Sequence, residues 1–189
     1  MKKSVAIFLF LLSVTAGLAQ EDKSINKIRE DFKKWQPIID RELKGATELF
    51  HYVWGDNYQN EKWYDTECDD EDKFLYQKVK ILEKSNLGTF VLANFNTISG
   101  DWSIKIEYYF DSNDKLYFIY WKMNTFQADE PLTVEKRFYF NSNGKVLKKL
   151  QSTYKLNTKE ESNAGFMNRE VDYKLQLNKM DFYSKLRGE

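Results

Sequence analysis

The chain has 189 residues with 29 basic and 29 acidic side chains, so its formal net charge is zero. This balance argues against a nucleic-acid partner, which needs a basic face, and against electrostatic attachment to an anionic membrane. The only histidine is His51 and the only cysteine is Cys68. Metal motifs that need two histidines, and an internal disulfide framework, are therefore excluded.

Residues 1–19 have the pattern of a secretory signal peptide. The first three residues, Met-Lys-Lys, are a basic head, residues 5–14 are apolar, and Gly17 and Ala19 are the small residues of a cleavage site. The apolar core is shorter than the roughly 20 residues of a membrane-spanning helix, and no later stretch is apolar for that long. The pattern predicts a bacterial protein that is exported in soluble form, to the periplasm or the extracellular space, with no membrane span. Removal of residues 1–19 takes away two lysines and no acid, which leaves 27 basic and 29 acidic side chains.

Residues 20–189 are enough to fold as a single domain with a sizeable core. The first predicted element is an amphipathic helix over residues 22–43, because apolar residues recur there at intervals of three and four. These residues are Ile25, Ile28, Phe32, Trp35, Ile39 and Leu43. Pro37 interrupts the stripe, which predicts either a kink or a second helix that begins at Pro37, and Gly45 predicts the end of the helix.

Between residues 47 and 154 the apolar pattern changes to a period of two, which is typical of β-strands. Seven strands are predicted, over residues 49–54, 74–83, 89–95, 102–110, 115–123, 132–140 and 145–154. The connections after the second strand are mostly short, as an antiparallel meander requires. Residues 116–121 are apolar on both faces, which predicts a central strand that is covered above and below.

The end of the chain completes the predicted fold. Residues 157–165 are polar and predict a loop, and the apolar residues within residues 168–187 predict a closing helix, although residues 173–177 would also suit a strand. The predicted fold class is therefore α+β: a twisted antiparallel β-meander of six to seven strands, with an N-terminal helix and a C-terminal helix packed on it.

A short polar motif occurs twice in the strand region, as YFDSNDK at residues 109–115 and as YFNSNGK at residues 139–145. Asn, Asp and Gly tolerate positive φ angles, and Asn and Asp side chains hydrogen-bond the backbone of their own turn. Neither copy has the alternating carboxylates and closing glutamate of a calcium loop. Both copies are therefore predicted to be hairpin loops, with Lys115 and Lys145 starting the return strands.

The two copies with their flanking strands, EYYFDSNDKLYFIY and EKRFYFNSNGKVLKKL, resemble the tandem hairpins of a group of small exported bacterial proteins. Those hairpins follow the approximate pattern YYFD-x-x-GKL, and similar hairpins occur in MORN-like repeat proteins. The resemblance covers residues 102–150 and departs from the pattern at Asp114, where the turn glycine is expected. The group has no assigned activity, so the resemblance implies export and a β-meander and supplies no catalytic residue.

The sequence contains no motif with the spacing of a catalytic site, and no catalytic, cofactor-binding or metal-binding residue is predicted. His51 lies in a strongly β-forming run and is interpreted as a sheet residue rather than a general base, since no G-x-S-x-G motif accompanies it. Cys68 lies among six carboxylates in residues 65–72, which suppress the thiolate that a nucleophile needs. Residues 65–72 are interpreted as a solvated acidic loop, with a calcium site as the alternative.

Aromatic residues are the most prominent remaining feature, and Trp54, Tyr58, Trp63 and Tyr64 cluster in a polar stretch. Exposed aromatic rings can stack on sugar rings or anchor a protein partner. The sequence therefore favours an exported, soluble, non-enzymatic binding protein with an unidentified protein or glycan partner and no cofactor. Two alternatives stay open. One is a hydrolase that acts on envelope or extracellular polymers through a pair of carboxylates, and the other is a calcium-dependent structural module.

Overall fold

The computed structural model describes residues 3–55, 59–66 and 73–188; within these ranges, the side chains of residues 3–20 and of Gln59 lie outside the description. Its elements are a long N-terminal helix, eight β-strands and a C-terminal segment with two short helical turns. The strands form one antiparallel sheet, with the helix packed on one face and the C-terminal segment on the other. The predicted α+β class is confirmed.

Helix α1 spans Lys3–Glu42 and is followed by a 3-10 turn at Leu43–Gly45. Its apolar stripe faces the sheet, where Ile25 and Trp35 are buried. The helix continues through Pro37, so the predicted second helix at that residue is not formed. Pro37 is exposed, and water can bond the carbonyl oxygen that the proline leaves without a helical donor. Among the residues described, no helix has the length and apolarity needed to cross a membrane.

The described residues form eight strands, one more than the upper end of the predicted range. They are β1 (Thr47–Trp54), β2 (Gln59–Tyr64), β3 (Phe74–Lys84), β4 (Gly88–Asn96), β5 (Trp102–Phe110), β6 (Leu116–Thr125), β7 (Leu132–Phe140) and β8 (Val146–Lys155). The spatial order is β2-β1-β3-β4-β5-β6-β7-β8, and all neighbours are antiparallel. The additional strand is β2, which opens with four polar residues and therefore shows no strand pattern in the sequence.

The strands alternate their side chains between two cores, one on each face of the sheet. Consecutive residues of the central strands enter different cores: Phe90, Tyr109 and Phe118 lie in the core with α1, whereas Val91, Tyr108 and Ile119 lie in the core with the C-terminal segment. The predicted central strand over residues 116–121 is confirmed, because β6 lies between β5 and β7 and is covered on both faces.

The C-terminal segment is mostly not helical, so the predicted closing helix over residues 168–187 is wrong except at its end. A 3-10 turn covers Leu177–Lys179, and helix α2 is limited to Tyr183–Arg187. Residues 166–176 lack helical hydrogen bonding and run across the sheet face. We refer to residues 166–182 as the C-terminal strap.

The strap uses its backbone to bond the first of the two repeated turns. The Leu116 amide donates to the Leu175 carbonyl oxygen (3.0 Å), and the Leu177 amide donates to the Asp114 carbonyl oxygen (3.0 Å). Leu177 and Phe182 are then buried against the sheet. These bonds occupy backbone groups that a helix would satisfy internally, which explains why the apolar residues here do not specify a helix.

Both repeated motifs are hairpin turns, as predicted. The Asp111 side chain accepts hydrogen bonds from the amides of Asn113 (2.8 Å) and Lys115 (3.0 Å), and Asn141 does the same thirty residues later. Asp114 has a φ of 59°, so it adopts the left-handed conformation that glycine provides in the second copy. The repeated motif therefore reverses the direction of the chain between neighbouring strands.

Candidate functional site

A cleft of about 530 Å³ lies between the C-terminal strap and the sheet face beneath it. Five strands contribute aromatic residues to its lining: Trp63 from β2, Tyr76 from β3, Phe95 from β4, Trp102 and Tyr108 from β5, and Trp121 from β6. The strap forms the opposite wall. A cleft of this volume is within the range of about 300–1,000 Å³ that is typical of small-molecule sites.

The antiparallel register explains why residues so distant in sequence meet at this cleft. His51 lies opposite Trp63 on β2 and opposite Gln77 on β3. Gln77 in turn lies opposite Phe95 on β4, which lies opposite Ile104 on β5. Residues that face each other across strands point to the same side of a sheet. The register therefore lines up one row of side chains across five strands.

The rings of this row pack together with two rings from outside it, Tyr76 of β3 and Phe182 of the strap. The His51 imidazole stacks on the Trp63 indole, with ring centroids 4.9 Å apart and planes 20° from parallel. Trp63 meets Phe182 edge-on at 5.8 Å, His51 meets Tyr76 at 6.2 Å, and Tyr76 meets Phe95 at 5.7 Å. We refer to these five residues as the aromatic row. Their edge-to-face contacts stabilise one arrangement of the rings.

His51 is half-buried inside the aromatic row. Burial lowers the pKa of its imidazole from the usual 6.5, and the charges of Glu61 and Asp181 oppose this shift in part. Its Nδ1 atom has no hydrogen-bond partner among the described residues. The ring is therefore neutral at pH 7 and acts as an aromatic packing surface. This agrees with the interpretation of His51 as a sheet residue. A buried sheet histidine normally has hydrogen-bond partners, and within the described part of the chain Nδ1 has none.

Two buried side chains of the sheet fasten the strap from below. The Tyr108 hydroxyl donates to the Asp172 carbonyl oxygen (2.9 Å), and burial raises the pKa of that hydroxyl. The Lys136 ammonium donates to the Asn168 Oδ1 atom (2.8 Å) and to the Arg169 carbonyl oxygen (2.6 Å). Burial lowers the pKa of Lys136, whose Nζ atom also lies 4.5 Å from the centre of the Trp121 ring. These bonds hold the strap at a set distance from the sheet face that forms the cleft floor.

The mouth of the cleft is polar and carries both signs of charge. Its charged lining residues are Arg169, Glu170, Asp172, Lys174 and Asp181. The Arg169 guanidinium lies 4.0 Å from the centre of the Trp102 ring, so it covers one end of the aromatic lining. Asp172 and Lys174 are 3.6 Å apart, and the Asp172 side chain is 83% exposed. The mouth therefore offers hydrogen-bond donors and acceptors above an apolar floor.

The aromatic cluster that the sequence singled out is divided by the structure. Trp63 enters the cleft, whereas Tyr64 lies on the opposite face of β2 and packs edge-on against Tyr52 at 4.9 Å. Trp54, at the end of β1, is 48% exposed, and Tyr58 lies outside the described residues. The other aromatic lining residues carried no local signal, because only the strand register places them together.

The acidic run is described only in part. Cys68 and the carboxylates of residues 67–72 lie outside the described residues, and Asp65 is 3.8 Å from Lys185. Within residues 3–55, 59–66 and 73–188, no group of three or more His, Cys, Asp or Glu side chains is arranged to hold a metal ion. The calcium alternative for residues 65–72 therefore stays a prediction.

Comparisons with known proteins do not assign a role to the site. No protein-family model matches the chain, and no curated protein or solved structure matches it either. The resemblance of residues 102–150 to tandem-hairpin proteins accordingly remains a prediction. The chemistry of the cleft itself is the basis for a functional proposal.

Proposed function

We propose that this protein is an exported binding protein that holds a segment of a glycan in the cleft beneath the C-terminal strap. The observation that carries the proposal is the aromatic row, of which every member except His51 lines a cleft of about 530 Å³ with a charged mouth. Aromatic rings supply flat apolar surface to the C–H faces of a sugar, and charged side chains bond its hydroxyl groups. The cleft offers both kinds of surface within one site.

Export is part of the same proposal. The sequence pattern of residues 1–19 supports it, and the packing of α1 is compatible with cleavage after Ala19. Ile25 is the first buried residue among the described side chains of α1, five positions beyond the proposed new N-terminus at Gln20. A mature chain would therefore retain the described contacts of Ile25, Ile28 and Trp35 with the sheet.

The carboxylates of the cleft favour binding over hydrolysis. Glu170, Asp172 and Asp181 reach the mouth of the cleft, and all three are exposed. A carboxyl group that acts as a general acid at neutral pH needs burial or a neighbouring charge of the same sign to keep its proton. Exposed carboxylates at the mouth are instead suited to accept hydrogen bonds from a ligand. Hydrolysis of the ligand remains the alternative function, and the binding experiment below includes a test for it.

The test uses residues 20–189 and a panel of soluble oligosaccharides that includes peptidoglycan fragments, chitooligosaccharides and β-glucan oligosaccharides. We expect at least one of them to bind, measured by calorimetry. Trp63→Ala should weaken that binding about tenfold or more, because it removes an indole ring of the aromatic row that lines the cleft. Trp54→Ala is the matched control, since Trp54 is exposed and lies outside the cleft lining.

Two results would overturn the proposal. One is that no oligosaccharide binds at millimolar concentration, and the other is that Trp63→Ala binds as tightly as the parent protein while both remain folded by circular dichroism. Chromatography of the incubated oligosaccharides distinguishes the alternative: shortened products would show that the cleft hydrolyses its ligand instead of holding it.

A further inference from the structure

A second groove lies on the opposite face of the sheet, between α1 and the strands β6 to β8. It has a volume of about 310 Å³ and is separate from the cleft beneath the strap. Its helix wall includes Arg29, Phe32 and Lys33, and its sheet wall includes Arg137 and Tyr139. The groove therefore joins residues of the first element to residues that follow more than a hundred positions later.

The floor of the groove is apolar and aromatic. Phe32 meets the Phe118 ring edge-on at 5.3 Å, and Phe118 lies 5.0 Å from the Tyr139 ring. Phe32 and Leu150 are only half-buried, although both pack against the core on this face. Part of the apolar surface is therefore accessible from the groove, where burial by a ligand would be favourable.

The rim of the groove is positively charged. Its lining contains Arg29, Lys33 and Arg137 and no acidic residue. Arg29 and Lys33 are four positions apart on one helix, and like charges at this spacing repel and destabilise the helix. Among the described residues, Arg29 has Asn26 as a neutral partner and Lys33 has no hydrogen-bond or ion-pair partner. No ion pair among the described residues therefore accounts for this pair of cations.

The third cation is already partly neutralised. The Arg137 guanidinium is 3.0 Å from a carboxylate oxygen of Glu135 and 5.6 Å from the centre of the Tyr120 ring. It retains further N–H groups, because a guanidinium has five donors. The uncompensated positive charge of the groove is consequently that of Arg29 and Lys33, directly beside the apolar floor.

We propose that this groove binds a single-chain amphiphile with one anionic head, a carboxylate or a phosphate. The head lies between Arg29, Lys33 and Arg137, and the apolar chain lies along Phe32 and Leu150. Guanidinium groups suit both kinds of head because they bond two anionic oxygens at once. The volume of about 310 Å³ is at the low end of the usual range for ligand sites, so one chain is favoured over a two-chain lipid.

The experiment uses residues 20–189 with sodium decanoate as the probe, and with decanol, decyl phosphate and inorganic phosphate as comparison ligands. Calorimetry should show that decanoate and decyl phosphate bind, with decanol and inorganic phosphate each at least tenfold weaker. The double substitution Arg29→Gln/Lys33→Gln should weaken decanoate binding at least tenfold. Lys34→Gln, which removes the same type of charge from the next position of the helix, should change it less than twofold.

Several outcomes would contradict the proposed ligand site. Decanoate that does not bind, decanol or inorganic phosphate that binds equally well, or an equal loss in Lys34→Gln would each exclude an anionic amphiphile in this groove. A separate experiment measures binding of the protein to vesicles of phosphatidylcholine with phosphatidylglycerol. If the protein binds these vesicles but not free decanoate, the basic rim recognises a membrane surface and the proposal is wrong. Arg29, Lys33 and Lys34 are exposed, so the variants are expected to fold.

Discussion

At the residue scale, His51 makes the stability of the protein depend on pH near neutrality. Burial lowers the pKa of the imidazole in the folded protein below the usual 6.5. As the pH falls through 6.5, the unfolded chain therefore takes up a proton before the folded protein does. The contribution of His51 to stability is complete above this pH and decreases below it, until the lowered pKa of the folded state is reached.

We predict that the free energy of unfolding falls between pH 7.5 and pH 5.5, by no more than about 1.4 kcal/mol per pH unit, the limit for one proton. Urea denaturation at a series of pH values measures this dependence. In His51→Phe, which keeps an aromatic ring beside Trp63, the dependence in this window should be absent, because His51 is the only histidine. An equal decrease in the variant would show that other groups are responsible.

At the element scale, local patterns predicted the strands well and the C-terminal strap poorly. All seven predicted strands form, and the predicted bounds of β5 and β7 agree with the structure. The turns were predictable because Asp111 and Asn141 bond the backbone of their own hairpins. The conformation of the strap was not predictable from local patterns, because its hydrogen bonds go to residues of the sheet that are distant in sequence.

The strap also gives a prediction at this scale. Tyr108→Phe removes the hydroxyl that donates to the Asp172 carbonyl oxygen, and the lost bond should lower the free energy of unfolding by about 1 kcal/mol. Amide hydrogen exchange in residues 166–176 should become faster, because this bond joins the strap to the sheet. The matched control is Tyr173→Phe, since the Tyr173 hydroxyl has no hydrogen-bond partner among the described residues while its ring packs on Phe140 at 5.1 Å. Equal effects of the two substitutions would contradict a fastening role for Tyr108.

At the scale of the whole molecule, both proposed sites depend on the layered arrangement of one sheet between α1 and the strap. The sequence predicted the sheet and the layer formed by α1, because apolar periods identify helices and strands, but it predicted a helix where the strap forms the other layer. It did not predict the cleft, whose lining requires the register that places Trp63, His51, Gln77 and Phe95 in one row. It did not predict the groove either, because Arg29 and Arg137 line one groove only after the helix has packed on the sheet.

The layered arrangement bears directly on export, because the proposed cleavage site lies within the residues of α1. We predict that expression of the full chain in a bacterial host yields an exported protein that begins at Gln20, identified by intact-mass spectrometry. Ala19→Leu should block the cleavage, since the −1 position accepts only small residues, whereas Leu18→Phe at the unrestricted −2 position should leave it unchanged. Because the cleaved chain and residues 20–189 produced without a leader have the same sequence, their unfolding midpoints should be equal. An exported protein that keeps residues 1–19, or an equal block by Leu18→Phe, would show that these residues are not a cleaved signal peptide.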